Sequence, residues 1–211
     1  MRASVASVVL TVLVGLLAAC GPSAKMTFFV TSVGTGHGGN LGGLAGADAH
    51  CRDLAIAAGS SKRQWRAYLS AAALAGHSAV NARDRIGRGP WFNADGVEIA
   101  ATLEELHGAA NKLDGRTSLN EHGNNVPGSM HDILTGSNSD GTLASGDATC
   151  HNWTSTAGHA MVGHSNKAGS IGGDRARSWN SAHLSDGCSV AALQTLGSGG
   201  LLYCFAVDEV K

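Results

Sequence analysis

The chain has 211 residues and carries 15 Lys+Arg against 16 Asp+Glu, a formal net charge of −1. That balance leaves no basic footprint for nucleic acid, and the length suits one domain able to bury a real core. Thirty glycines without a collagen-like period, and only 5% aromatic residues, predict short regular elements joined by much loop.

The N-terminus opens with Met1-Arg2, runs apolar from Val5 to Leu17 and ends in Leu17-Ala18-Ala19-Cys20, with Gly21-Pro22 behind it. A charged start, a short apolar stretch and small residues before a cut site are the order of a secretory signal. The run is shorter than the roughly 20 apolar residues a membrane span needs. The Leu-Ala-Ala-Cys end resembles a bacterial lipobox, which predicts cleavage before Cys20 and lipid on that residue. Several acyl chains at about 0.8 kcal/mol per buried methylene anchor stably where one chain is marginal. The expected organisation is therefore a signal peptide over 1–19, a lipidated tether over 20–26 and one domain over 27–211. Gly21, rather than a retaining Asp, points to the outer membrane, with surface exposure as an option.

Thr27–Ser32 is β-branched and aromatic and reads as a strand. Gly34–Gly43 is glycine-rich loop. Ala47–Ala58 sets Ala47, Cys51, Leu54, Ala55 and Ala58 on one helical face, and Gly59 stops it. Trp65–Ser70 alternates as a second strand, Ile86–Phe92 is expected to be extended, and Asn93–Gly96 is a turn. Thr102–Leu106 is a short helix or turn. Gly108–Gly146 is polar and glycine-punctuated, so long loops are expected there. Leu201–Val207 is an apolar run of strand length, expected to be buried.

With Cys20 assigned to lipid, Cys51, Cys150, Cys188 and Cys204 remain. An even number in an exported chain reads as two disulfides, and four cysteines allow three connectivities. The chain has no Cys-x-x-Cys pair, which argues against a thiol oxidoreductase or a zinc ribbon.

Several segments line up, in order, with one family. Asn40-Leu-Gly-Gly-Leu-Ala-Gly-Ala-Asp48 followed by Cys51 resembles the first-helix motif of endostatin, a collagen-derived domain of C-type-lectin-like fold. Arg66-Ala-Tyr-Leu-Ser70, Asp84-Arg85, the Gly136–Gly141 loop, Cys150 with Trp153-Thr154, and Trp179, Cys188 and Leu202-Tyr-Cys204 are similar to later parts of it. The similarity spans 27–208 and is closest to bacterial endostatin-like lipoproteins, including the leptospiral surface proteins. It implies an α+β, C-type-lectin-like domain of short, mainly antiparallel sheets with one or two helices and long loops. It also implies nested disulfides, Cys51 with Cys204 and Cys150 with Cys188. For function it implies a lipid-anchored, non-catalytic adhesion or binding protein that meets a protein or glycan outside the cytoplasm. The long loops between Gly108 and Ser198 would make the contact.

The remaining motifs are weighed on that background. Gly34-x-Gly36-x-x-Gly39 matches a dinucleotide fingerprint in form, but no alternating strand–helix series follows, so a loop is expected. Asn138, Asp140 and Asp147 suggest part of a calcium loop; the first acidic ligand and the closing Glu are missing, so a turn is favoured and no cofactor is expected. The Pro-containing sugar tripeptides of calcium-dependent lectins are absent too. Arg63, Arg66, Arg83, Arg85 and Arg88 could cluster for a sulfated glycan, and endostatin holds heparin through dispersed arginines. Only Arg66 and Arg85 fall at positions that look shared, and pairing with acids is the plainer expectation. Among ten histidines, His151, His159, His164 and His183 could meet in space, but they lack a recognised ligand spacing. Surface or hydrogen-bonded histidines are the expectation. Trp153 and Trp179 are expected to fill the core. Gly-x-Ser-x-Gly, Ser-x-x-Lys and Walker signatures are lacking, so no enzyme class is indicated.

Overall fold

The computed structural model describes residues 22, 24–62, 64–168, 173 and 177–207; the lipobox and Arg63 lie outside them. The domain is mixed α+β. Strands β1 (Phe28–Val30), β2 (Trp65–Ala67), β3 (Trp91–Phe92), β4 (Glu98–Ala100), β5 (Asp132–Leu134), β6 (Met161–His164), β7 (His183–Leu184) and β8 (Leu201–Ala206) alternate with helices α1 (Gly43–Ala57), α2 (Leu103–His107), α3 (Cys150–Trp153) and α4 (Val190–Thr195). Among the described residues no helix is long and apolar enough to cross a membrane.

The terminal apolar run becomes the organising strand. β8 pairs antiparallel with β1 along one edge; its other edge is shared, antiparallel with β2 and parallel with β5. β6 and β7 extend the sheet from β5 in the order β1-β8-β5-β6-β7. A strand whose side chains alternate between two buried faces must be apolar throughout. Accordingly Leu202 and Cys204 join Phe29, Leu134 and Val162 in one cluster, while Leu201, Tyr203 and Phe205 join Phe28, Val30 and Ile133 in another. Helix α1 covers the first face through Ala47, Cys51 and Ala55. Trp91, Ile99 and Leu106, from the β3–β4 hairpin and α2, cover the second.

Both disulfides form as the nested pair. Cys51–Cys204 ties α1 to β8 and Cys150–Cys188 closes the inner loop. Trp153 and Trp179 are buried, as expected, although they serve opposite faces. Gly39 explains the sequence's misleading fingerprint. A Cβ there would lie 2.3 Å from Cys150 Sγ, so the glycine lets the loop pass over the inner disulfide rather than over a phosphate.

The structure refines the expected elements. Gly108–Gly146 is mostly loop, as expected, and contains one short strand, β5, that is paired on both edges. The β5–β8 pairing is parallel, while the other pairings between named strands are antiparallel. The extended stretch at Ile86–Phe92 shrinks to Trp91–Phe92, since residues before it turn through a cis Gly89–Pro90 bond.

Candidate functional site

β5 begins with a carboxylate that the sheet buries. Asp132 is 1% exposed, and its backbone is held by a 3.2 Å bond from its N–H to Gly197 O and a 2.8 Å bond from Ser198 Oγ to its carbonyl. The strand register then delivers histidines to it. Asp132 lies directly opposite His164, the last residue of β6, and Val162 of β6 lies opposite His183 on β7. Residues two apart on a strand share a face, so His183 arrives diagonally on the same side. Gly163 makes this crowding possible: a Cβ there would sit 1.9 Å from Trp179 O, so only glycine lets the 178–180 segment lie against β6. His131 comes from the turn before β5, its carbonyl accepting the Ser165 N–H at 2.9 Å.

The three Nε2 atoms converge on one carboxyl group. His131 and His164 stand 3.2 Å from Oδ1, His183 stands 3.4 Å from Oδ2, and the His164 and His183 Nε2 atoms are 3.1 Å apart. The ligating atoms of His131, Asp132 and His164 all fall within 4.8 Å of one another, the sole such group of metal-ligating type among the described residues.

The opposite ring edges decide the chemistry. Each Nδ1 faces a backbone carbonyl: His131 to Gly128 O at 2.7 Å, His164 to Ala168 O at 3.0 Å, His183 to Leu184 O at 3.0 Å. A carbonyl only accepts, so each Nδ1 carries the proton, and in the neutral ring Nε2 presents a lone pair. With all three rings neutral, their Nε2 lone pairs would point at an acceptor-only carboxylate; the 3.1 Å His164–His183 contact instead needs a proton or an ion between its two nitrogens. Asp132 Oδ1 correspondingly accepts no hydrogen bond despite two nitrogens at 3.2 Å. Burial pushes the Asp132 carboxyl above its usual range, and the three imidazoles pull the other way. Charging one imidazole would neutralise the carboxylate; charging all three would leave two excess positive charges. A cation between the acceptors answers every lone pair together.

The residues singled out earlier lie elsewhere. Arg66 and Arg85 are neighbours, but both are spent on Asp48. Arg85 grips its two oxygens at 2.9 and 2.7 Å, and Arg66 adds a 2.9 Å bond. Asp48 also accepts the Ala67 N–H at 2.9 Å, so this trio locks α1 to β2. Arg83 donates to Asp140 O, and Arg88 is exposed. Asn138 donates to Thr142 Oγ1 and Leu143 O, and Asp140 accepts from Thr142, whose bonds hold its carboxyl below the ordinary range. Asp147 accepts instead from the Thr149 and His151 backbone. These three side chains shape two turns and share no ligand position.

Of the four histidines considered together, His164 and His183 do meet. His151 is exposed beside Asp147 and His159 donates to Ser185 O, so neither belongs to the cluster. His131 and Asp132 were missed. Their sequence signal is a His-Asp dipeptide directly before the apolar Ile133-Leu134 pair, inside a stretch otherwise rich in turn formers. No protein-family profile matches the chain, and no curated protein matches it.

Proposed function

We propose that the chain is an exported, lipid-anchored, non-catalytic binding protein. In this reading a C-type-lectin-like scaffold of the endostatin kind carries a cation-binding centre at His131, Asp132, His164 and His183. One observation carries the reading: a buried carboxyl with three imidazole Nε2 atoms within 3.4 Å and an Oδ1 that accepts no hydrogen bond. Buried charge is tolerated when it is paired or coordinates a metal. The centre lies within the 108–198 stretch of long loops, so a bound ion would fasten the part of the scaffold that meets a macromolecular partner.

The test is a thermal melt of the purified full-length protein in detergent after chelator treatment, with divalent ions added back one at a time. At least one ion should raise the melting temperature, because a ligand that binds only the folded state stabilises it by mass action. A flat response to every ion would overturn the reading. The anchor is tested separately: Cys20→Ser should move the protein from the membrane to the soluble fraction, and unchanged membrane association would reject lipidation at Cys20.

A further inference from the structure

We infer that the ion is a borderline divalent d-block ion, zinc in type, held by three firm ligands and one exchangeable one. This rests on the reading of the cluster as a cation site. The firm set is Asp132 with the Nε2 atoms of His131 and His164; the exchangeable ligand is Nε2 of His183.

The donor set selects the ion. Calcium takes six to eight oxygen ligands and magnesium an octahedron of oxygens, and one carboxylate cannot supply either. Imidazole nitrogen with a single carboxylate suits zinc and its neighbours. Zinc–nitrogen bonds of about 2.0–2.1 Å at tetrahedral angles place ligand atoms roughly 3.3–3.4 Å apart. Four of the separations, 3.1, 3.2, 3.2 and 3.4 Å, match this spacing, while the His131, Asp132 and His164 ligand atoms span up to 4.8 Å, so a bound ion would draw that set closer together. The outer contacts agree independently. Metal-bound histidines almost always donate their second ring N–H to a carbonyl or carboxylate, fixing the tautomer. All three rings do so here, each to a backbone carbonyl.

The order of the ligands follows from burial and from the sheet. Side-chain exposure is 1% for Asp132, 8% for His164, 24% for His131 and 36% for His183. His164 ends a strand paired on both sides, whereas His183 sits on the two-residue edge strand β7. His183 is the most exposed of the four side chains, so it is the ligand position an outside group reaches most readily. An imidazole or carboxylate group from solution or from a partner could replace it there.

Cobalt(II) reports this geometry because its visible absorption is strong in four-coordinate sites and weak in six-coordinate ones. The chelator-treated full-length protein, titrated with cobalt, should develop the strong band and lose it when zinc is added. Asp132→Asn and His164→Ala should abolish the band. His183→Ala should still bind, about 10- to 100-fold more weakly, and free imidazole should then shift its band by filling the opened position. Near-ultraviolet circular dichroism of each variant confirms that it is folded, and the wild-type titration stands without any variant. A weak six-coordinate band, or melts that respond to calcium or magnesium and not to zinc, would overturn the ion assignment and leave the cation site standing. His183→Ala losing binding as fully as His164→Ala would overturn the ligand order. Failure of every ion to bind would remove both this inference and the function proposed above.

Discussion

Replacing Cys51 and Cys204 together with serine should lower the unfolding free energy by about 5 kcal/mol as an upper estimate, read from a denaturant titration under oxidising conditions. The bridge closes a loop with a sequence separation of 153, and the entropy removed from the unfolded chain grows with the logarithm of that length. Comparable domains have only about 5–15 kcal/mol in total, so the double variant should be largely unfolded at physiological temperature. Position enlarges the effect. Cys204 lies mid-way along β8, opposite Phe29 of β1 and Ala67 of β2, and both cysteines are fully buried. Loosening that strand releases three others along with α1. The inner bridge, with a separation of 38, should contribute about 4 kcal/mol by the same relation. Its loss should be felt more locally, in the Gly39 loop and around Trp153. A loss below about 1 kcal/mol for the Cys51/Cys204 pair would mean that packing already holds the unfolded chain's ends together, contrary to the entropic argument.

The elements legible in the sequence are those whose own residues declare them. Phe28–Val30 and Leu201–Ala206 are continuous apolar segments, and α1 shows a helical face with Gly59 behind it. The helix nonetheless starts at Gly43, earlier than the Ala47 suggested by periodicity, because Gly43 and Gly46 make its first turn read as part of the glycine-rich loop. What stayed hidden is short and depends on distant partners. β5 is three residues long and begins with Asp132, so locally it resembles its polar surroundings; its strand character comes from β8 and β6, which lie far away in sequence. β6 contains Gly163, a residue that argues against a strand unless another backbone must pass close by.

The site followed the same division. Its histidines could be counted, but which of them meet is decided by register. His164 reaches Asp132 because Ile133 pairs with Gly163, and His183 joins them because it pairs with Val162. A one-residue slip would turn these rings to the other face. His151, adjacent to a disulfide cysteine, is carried away from the cluster by a turn in which residues 150–153 all have positive φ, a conformation unfavourable for non-glycine residues and invisible in composition. The arginines pair with an acid, the plainer expectation, but their partner was hidden. Nothing near Asp48 in sequence indicates that it would take up both Arg66 and Arg85.

Asp132→Asn should change stability in opposite directions with and without the ion. In the ion-free protein the wild-type carboxylate is buried and its Oδ1 accepts no hydrogen bond, so replacing it with a neutral amide of the same shape removes a desolvation cost. The amide N–H₂ can also donate to a neutral imidazole Nε2, which a carboxylate cannot. The variant should therefore melt at or above the wild-type temperature in chelator. With zinc present the order reverses. The wild type gains about 2.7 kcal/mol when free ion is 100 times its dissociation constant and about 4.1 kcal/mol at 1,000 times, and a variant without the anionic ligand loses most of that gain. Crossing of the two melting curves is the diagnostic result, because a mere packing defect lowers stability equally in both buffers. An equal loss with and without zinc would identify Asp132 instead as the counter-ion of a protonated imidazole, held for structure alone. The crossing separates a residue retained for what it binds from one retained for what it supports, and the unsatisfied oxygen at the start of β5 is expected to belong to the first kind.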